Sequence, residues 1–288
     1  MNEIIVTDKE AGILPERFLQ EKIPAAPLSY LRKLLKSGKI RDPQGPLSMT
    51  RPLAAGDRVF LPDSARLREL RNASEQGSPV ILHETQNILI VDKPAGLATH
   101  AGVGHEEDNL TSWILRYMKD RGEHFRVAPI QRLDLGTSGI TMFGKGKKSC
   151  SVLGQMMMTQ PVTKTYLALV SGKMDESGVL ISEIPAKGKF KRAETAYQRL
   201  AATSAASLLR IVLRTGRQHQ IRRQFKDIGH PLFGDKRYQG PETGCLSRLF
   251  LHCCQLDFTD PFSHEPVSVR SELPPELNRA LEELSLSK

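Results

Sequence analysis

The chain has 288 residues, 39% hydrophobic and 25% charged, with a formal net charge of +9. That composition fits a globular protein able to bury its own core and excludes a disordered, collagen-like or low-complexity chain. No apolar run approaches the roughly 18 residues of a membrane helix, and the N-terminus lacks the basic and apolar regions of a signal peptide, so a cytoplasmic protein with no membrane partner is expected.

The first predicted element is an apolar-periodic stretch from Arg17 to Ile23. A second helix follows over Ser29–Lys36, with Ser29 as its N-cap and Gly38 as its stop. Its Leu31, Leu34 and Leu35 share one face and leave Arg32, Lys33 and Lys36 exposed. A turn at Gly56-Asp57 leads into the strand Arg58–Leu61, and the polar run from Ser64 to Ser78 reads as a linker. The predicted organisation is a small domain over residues 1–65, a linker over 66–79, and a main domain over 80–288.

The main domain mixes strands and helices. Ile88–Val91 is a short buried strand running into the turn Asp92-Lys93-Pro94-Ala95-Gly96. Leu110–Met118 is helical, with Asn109 as its cap. Two apolar runs, Val127–Ile130 and Ile140–Phe143, flank the loop Gln131–Gly139, which carries Asp134. Methionines 156–158 end a helical stretch and read as core packing. Lys164–Val170 and Leu208–Leu213 are strands, and His219–Ile228 is a helix ended by Gly229. With no regular βαβ alternation, the class is α+β.

Charge and cysteine usage narrow the partners. Between Pro185 and Gly240 there are thirteen Lys or Arg against three Asp or Glu, which leaves the rest of the chain near neutral. A basic face with few aromatics points to a phosphate backbone. Cys150, Cys245, Cys253 and Cys254 contain no C-x-x-C pair, so neither a zinc site nor a disulfide framework is expected.

Taken alone, Asp134 reads most simply as a turn-shaping residue, and Tyr166 as core. Four segments taken together change this. They are Val91–Leu97, the Asp134 loop, Lys164–Gly172, and Thr215–Arg222 followed by Gly229–Asp235. In this order and spacing they resemble the RluA family of RNA pseudouridine synthases over roughly residues 80 to 275. Arg17–Leu19, Tyr30–Gly38 and Leu53–Val59 resemble, more loosely, the small α-L RNA-binding domain that often precedes it. Arg41-Asp42-Pro43 stands where that domain usually turns through Val-Asn-Gly.

The resemblance implies a pseudouridine synthase fold: a mixed, largely antiparallel sheet with a central RNA-binding cleft. It implies isomerisation of uridine to pseudouridine in rRNA or tRNA, without cofactor or metal; a monomer is the default expectation for the oligomeric state. The base is detached from the ribose, turned and rejoined through carbon, and the reaction needs a carboxylate at the sugar to attack it or take a proton. By resemblance this is Asp134, with Arg222 as its ion-pair partner and Tyr166 stacked on the uracil. Arg132 is implied to help hold the flipped nucleotide's place. The RNA-binding set takes in Lys164 and, in the small domain, Arg32, Lys33 and Lys36; Lys187, Lys189, Lys191, Arg192, Arg214, Arg217, Arg223 and Lys236 join it on charge alone.

Gln131 stands where the family usually has His and cannot carry its charge. His219 and His252 fit family positions and read as satisfied core histidines. Two other functions stay open on sequence. One is a catalytically silent RNA-binding module. The other is a nucleoside-bond hydrolase, which needs a second carboxylate such as Asp92 or Asp235 beside Asp134.

Overall fold

The computed structural model describes every residue except 1, 24, 25, 27, 65, 69, 71–78, 103, 106, 107, 187, 245, 247, 287 and 288. The chain forms two compact units, one of residues 1–79 and 97–123, the other of 80–96 and 124–288. Among the described residues no helix is long and apolar enough to cross a membrane.

The first unit holds a four-stranded antiparallel sheet, ordered β1 (Asn2–Ile5), β4 (Arg58–Leu61), β2 (Arg41–Asp42), β3 (Gly45–Pro46). With it are the helices α1 (Pro15–Lys22) and α2 (Leu28–Lys36). Leu31, Leu34 and Leu35 are buried, as their spacing requires. Because α2 already begins at Leu28, Ser29 lies inside its first turn and is not the cap. Its other end is a Schellman closure around Gly38 at φ +64, with Gly38 N–H donating to Leu35 O and Lys39 N–H to Leu34 O, both at 3.0 Å. Residues 97–123 contribute α3 (Leu110–Asp120), where Asn109 caps as expected by accepting from Ser112 N–H at 3.0 Å. The Trp113 indole of α3 is buried and donates to Asp108 Oδ1 at 3.1 Å.

The second unit is built on a ten-stranded sheet. Its main path runs β10 (Ser177–Ala186), β11 (Lys189–Ala202), β12 (Ala206–Leu213), β9 (Thr163–Ser171), β13 (Leu251–Thr259), β8 (Ser138–Lys145), β6 (Ile88–Lys93), β5 (Val80–Glu84). Off this path, β7 (Val127–Pro129) pairs with β8, and β14 (Pro266–Arg270) with β13. Every pairing is antiparallel except β8 with β13. Side chains alternate along β9, so Tyr166, Ala168 and Val170 join one core and Leu169 the other. The first core also takes Leu153 and Met156 from α4 (Lys147–Thr159) and Ile221 and Phe225 from α5 (Gln220–Asp227). The second takes Leu277 and Leu281 from α6 (Pro275–Glu283).

Two features differ from the expectation. The methionine run is not all core: Met156 is buried, whereas Met158 is 84% exposed, because a helix turns each successive side chain by 100°. The stretch after residue 176 forms the long hairpin β10–β11, which its charged sequence conceals. On β11 only Ala193, Thr195 and Tyr197 turn inward to a buried face.

The parallel join is short, pairing His252 with Ser138 and Cys253 with Gly139. Gly139 has φ +109, and a Cβ there would stand 2.2 Å from Cys253 O. Only glycine lets β13 approach β8 so closely.

Candidate active site

The Asp134 loop leaves β7 and enters β8, held at several points. Thr137 N–H donates to Asp134 O at 3.0 Å, closing a turn across Leu135-Gly136. Gly96 N–H, at the end of the Asp92–Gly96 turn, donates to Leu135 O at 2.7 Å. Gln131 Nε2 donates across the loop to Ile140 O at 3.1 Å. Behind the loop, Arg248 donates to Gly136 O at 3.4 Å and to Ser138 Oγ at 3.1 Å. Ser138 Oγ also lies 2.9 Å from Nδ1 of the buried His252, whose Nε2 is 3.2 Å from Ser271 Oγ. Burial pushes His252 down to about 4, so it is neutral and, as expected, a satisfied core histidine.

α5 brings Arg222 to the carboxylate. Its Nη1 donates to Asp134 Oδ2 at 3.0 Å, while Nε and Nη2 donate to the two oxygens of Asp235 at 2.7 and 2.8 Å. Tyr238 stacks beneath, with the guanidinium carbon 5.0 Å from its ring centre. The turn before α5 is fixed by Gln220, whose Oε1 accepts from Arg217 N–H at 3.0 Å and Thr215 Oγ at 2.8 Å. Its Nε2 reaches Thr195 Oγ1 of β11 at 2.8 Å.

The Asp134 loop and the start of α5 border a cleft of about 440 Å³. Asp134, Tyr166, Arg222, Arg132, Lys164 and Arg217 all line it, so the expected catalytic set and three of the expected RNA contacts converge. Asp134 is the one carboxylate on the described lining. Asp235 is 1% exposed and tied to Arg222, and Asp92 accepts from Ser271 Oγ at 2.8 Å with burial raising its pKa. Neither lines the cleft. Burial also lowers the Lys164 ammonium and raises the Tyr166 hydroxyl well above its ordinary value, with Cys253 adding to the latter. Tyr166 is therefore a neutral phenol at physiological pH.

The other expected RNA contacts lie elsewhere. Lys189, Lys191 and Arg192 are exposed on β11, with Arg192 paired to Glu194 at 2.9 Å; Lys187 falls outside the described residues. Arg214 pairs with the same Glu194, and Arg223 donates to Tyr238 Oη at 3.0 Å. In the first unit, Arg32 grips Glu16 through two hydrogen bonds of 2.8 Å, while Lys33 and Lys36 flank a shallow pocket with Ser29 and Ser37.

Two residues at the site escaped sequence reasoning. Lys93 is fully buried and drawn down to about 7, first by burial and then by Arg248, against the pull of Asp134 and Asp92. A lysine beside a Pro-Gly turn reads as exposed, and no local signal says otherwise. His219 is not a core histidine: it lines the cleft with Nε2 3.6 Å from Asp134 Oδ2. It also holds φ +55, a left-handed conformation that L side chains seldom adopt.

The model of the RNA pseudouridylate synthase family matches residues 87–227, a stretch that includes Asp134, Tyr166 and Arg222. Residues 87–227 carry a domain of this family. Its activity is accordingly that of an RNA pseudouridine synthase, an isomerase. Among pseudouridine synthases, the ribosomal large subunit pseudouridine synthase C of Escherichia coli (strain K12) is 29% identical over 314 residues, 98% of this chain and 96% of its own. The ribosomal large subunit pseudouridine synthase D of Nitrosomonas europaea is 28% identical over 298 residues, covering 97% and 87%. In fold, the chain matches human RNA pseudouridylate synthase domain containing 4 with a TM-score of 0.60, at 22% identity over 73% of this chain and 94% of that one. Human RNA pseudouridylate synthase domain containing 1 gives 0.55, at 21% identity over 69% and 84%.

Proposed function

We propose that the protein isomerises uridine in ribosomal RNA, with Asp134 as the carboxylate that acts on the ribose. The observation that carries this is the clamp on Asp134. Oδ2 is taken by Arg222, whereas Oδ1 accepts no hydrogen bond among the described residues, leaving one oxygen for a sugar in the cleft. The guanidinium supplies a fixed counter-charge beside the carboxylate as RNA displaces water. Both a nucleophile and a base need that same oxygen.

The other residues take roles suited to their states. Tyr166, a neutral phenol on the cleft wall, stacks on the uracil and donates a hydrogen bond but does not serve as a base. Arg132, Lys164 and Arg217 are phosphate or ribose contacts around a flipped nucleotide. The exposed basic residues of β11, and Lys33 and Lys36 of the α-L-like segment over residues 1–65, add further phosphate contacts. The ribosomal target rests on the names of the relatives; the reading takes the protein as a monomeric, cofactor-free enzyme of the cytoplasm. A hydrolase is disfavoured, because among the described residues lining the cleft no second carboxylate accompanies Asp134 to serve as acid.

The test is tritium release from RNA labelled at carbon-5 of its uridines, prepared from cells lacking the enzyme. Wild type releases tritium and Asp134→Asn does not, while both bind RNA. Equal release by the two proteins refutes the role of Asp134, and free uracil in place of retained pseudouridine refutes isomerisation.

A further inference from the structure

Asp134 Oδ2 has a second neighbour whose orientation the surrounding residues dictate. His219 Nδ1 lies 3.0 Å from Tyr238 Oη, and Arg223 Nε lies 3.0 Å from that same oxygen. An arginine Nε only donates, so Tyr238 accepts from Arg223 and has its own O–H left to give. The acceptor in line for it is His219 Nδ1. A neutral imidazole that accepts at Nδ1 carries its proton on Nε2. That nitrogen faces Asp134 Oδ2 at 3.6 Å, just beyond hydrogen-bond length.

Three observations say that this placement is built. His219 is held at φ +55 at the N-cap position just before α5, a backbone state a histidine keeps only when its surroundings insist. The imidazole and phenol rings meet edge to face, 5.8 Å apart at 90°, which fixes the plane of the ring. Tyr238 in turn carries the Arg222 guanidinium on its face, so one phenol sets both groups that touch Oδ2. Burial lowers the His219 pKa, as do Arg222, Arg237 and Arg223, against the opposing pull of Asp134.

We propose that His219 is a positioning residue for Asp134. Tyr238 and Arg223 lock its ring with Nδ1 as acceptor, so that Nε2–H and Arg222 hold Oδ2 from two sides and turn Oδ1 to the ribose. The contact shortens when RNA closes the cleft, as hydrogen bonds at unliganded sites commonly do. This rests on Asp134 being the reacting carboxylate.

The experiment measures kcat and KM on RNA for His219→Ala, His219→Gln, Tyr238→Phe and the double variant His219→Ala/Tyr238→Phe. Losing one hydrogen bond to a charged group lowers kcat about 10- to 100-fold, with KM nearly unchanged. Gln accepts at one end and donates at the other, so His219→Gln recovers most of the loss. Tyr238→Phe falls between, and the double variant is no slower than His219→Ala, since both changes remove the same contact. Wild-type kcat in His219→Ala, equal loss in the Gln and Ala variants, or additive losses overturn the proposal.

A second measurement needs neither activity nor the alanine variant. In ¹⁵N-histidine-labelled protein, the ring signal absent from His219→Gln should show a protonated Nε2 and an unprotonated Nδ1. The opposite tautomer overturns the proposal whatever the variants' activities. If wild type itself releases no tritium, the role of Asp134 fails, and the tautomer is judged by this spectrum alone.

Discussion

Replacing Lys93 by methionine isolates the cost of burying an amine beneath the active-site loop. Lys93 is fully enclosed, donates from Nζ to Pro94 O at 2.9 Å, and has its pKa drawn by burial from 10.5 to about 7. Between those pH values the folded state holds fewer protons at this site than the unfolded state does. Stability therefore rises with pH across the window, and the penalty is greatest below it. The interval corresponds to roughly 5 kcal/mol, of which about 4 kcal/mol opposes folding at pH 7 and about 1 kcal/mol at pH 10. Methionine is of similar length but forfeits hydrogen bonds worth about 1 to 2 kcal/mol. Lys93→Met is thus expected to be more stable than wild type by about 2 to 3 kcal/mol at pH 7, and to lose that advantage by about pH 10. Urea unfolding followed by circular dichroism at several pH values reads the difference, and ionisations common to both proteins cancel in it. A gap that stays constant from pH 7 to pH 10 refutes the reasoning.

Two further outcomes follow from buried carboxylates. Asp235→Asn leaves the Arg222 guanidinium without its two-pronged partner, at an expected cost of about 3 to 5 kcal/mol in stability, with kcat falling more than RNA affinity; an unchanged melting temperature contradicts this. Asp108 is pushed up to about 6 by burial, against the Trp113 N–H bond, so its folded form takes up a proton before the unfolded chain does and the first unit gains stability as pH falls from about 6 towards 4. Emission of Trp113, the sole tryptophan, should titrate near pH 6 in wild type and lose that step in Asp108→Asn.

What sequence could read here was local, and what it missed was tertiary. Asn109 and Gly38 announce a helix start and a helix stop because their chemistry acts within four residues. The convergence of Asp134, Tyr166 and Arg222 came from family resemblance, since no periodicity joins residues 88 positions apart such as Asp134 and Arg222. Tyr238 lies outside all four motif segments, so nothing pointed to the phenol that His219, Arg222 and Arg223 share. Asp235 lies within one, yet only the fold shows that it serves Arg222 and not the substrate. The charges of β11 signalled RNA while masking a strand, because a strand with one solvated face needs apolar residues only at alternate positions.

The short parallel join under the Asp134 loop has a bearing on how the protein is born. Ser138 and His252 are 114 positions apart, and Gly139, in β8 just past the loop, rests against the Cys253 carbonyl. A chain leaving the ribosome displays its aspartate, tyrosine and arginine long before β13 emerges to seat them. Contacts so distant in sequence form late, after the entropy of closing the intervening chain has been met. Competence therefore waits for β13, and a nascent fragment stopped before Leu251 carries the reacting groups without the strand that seats them.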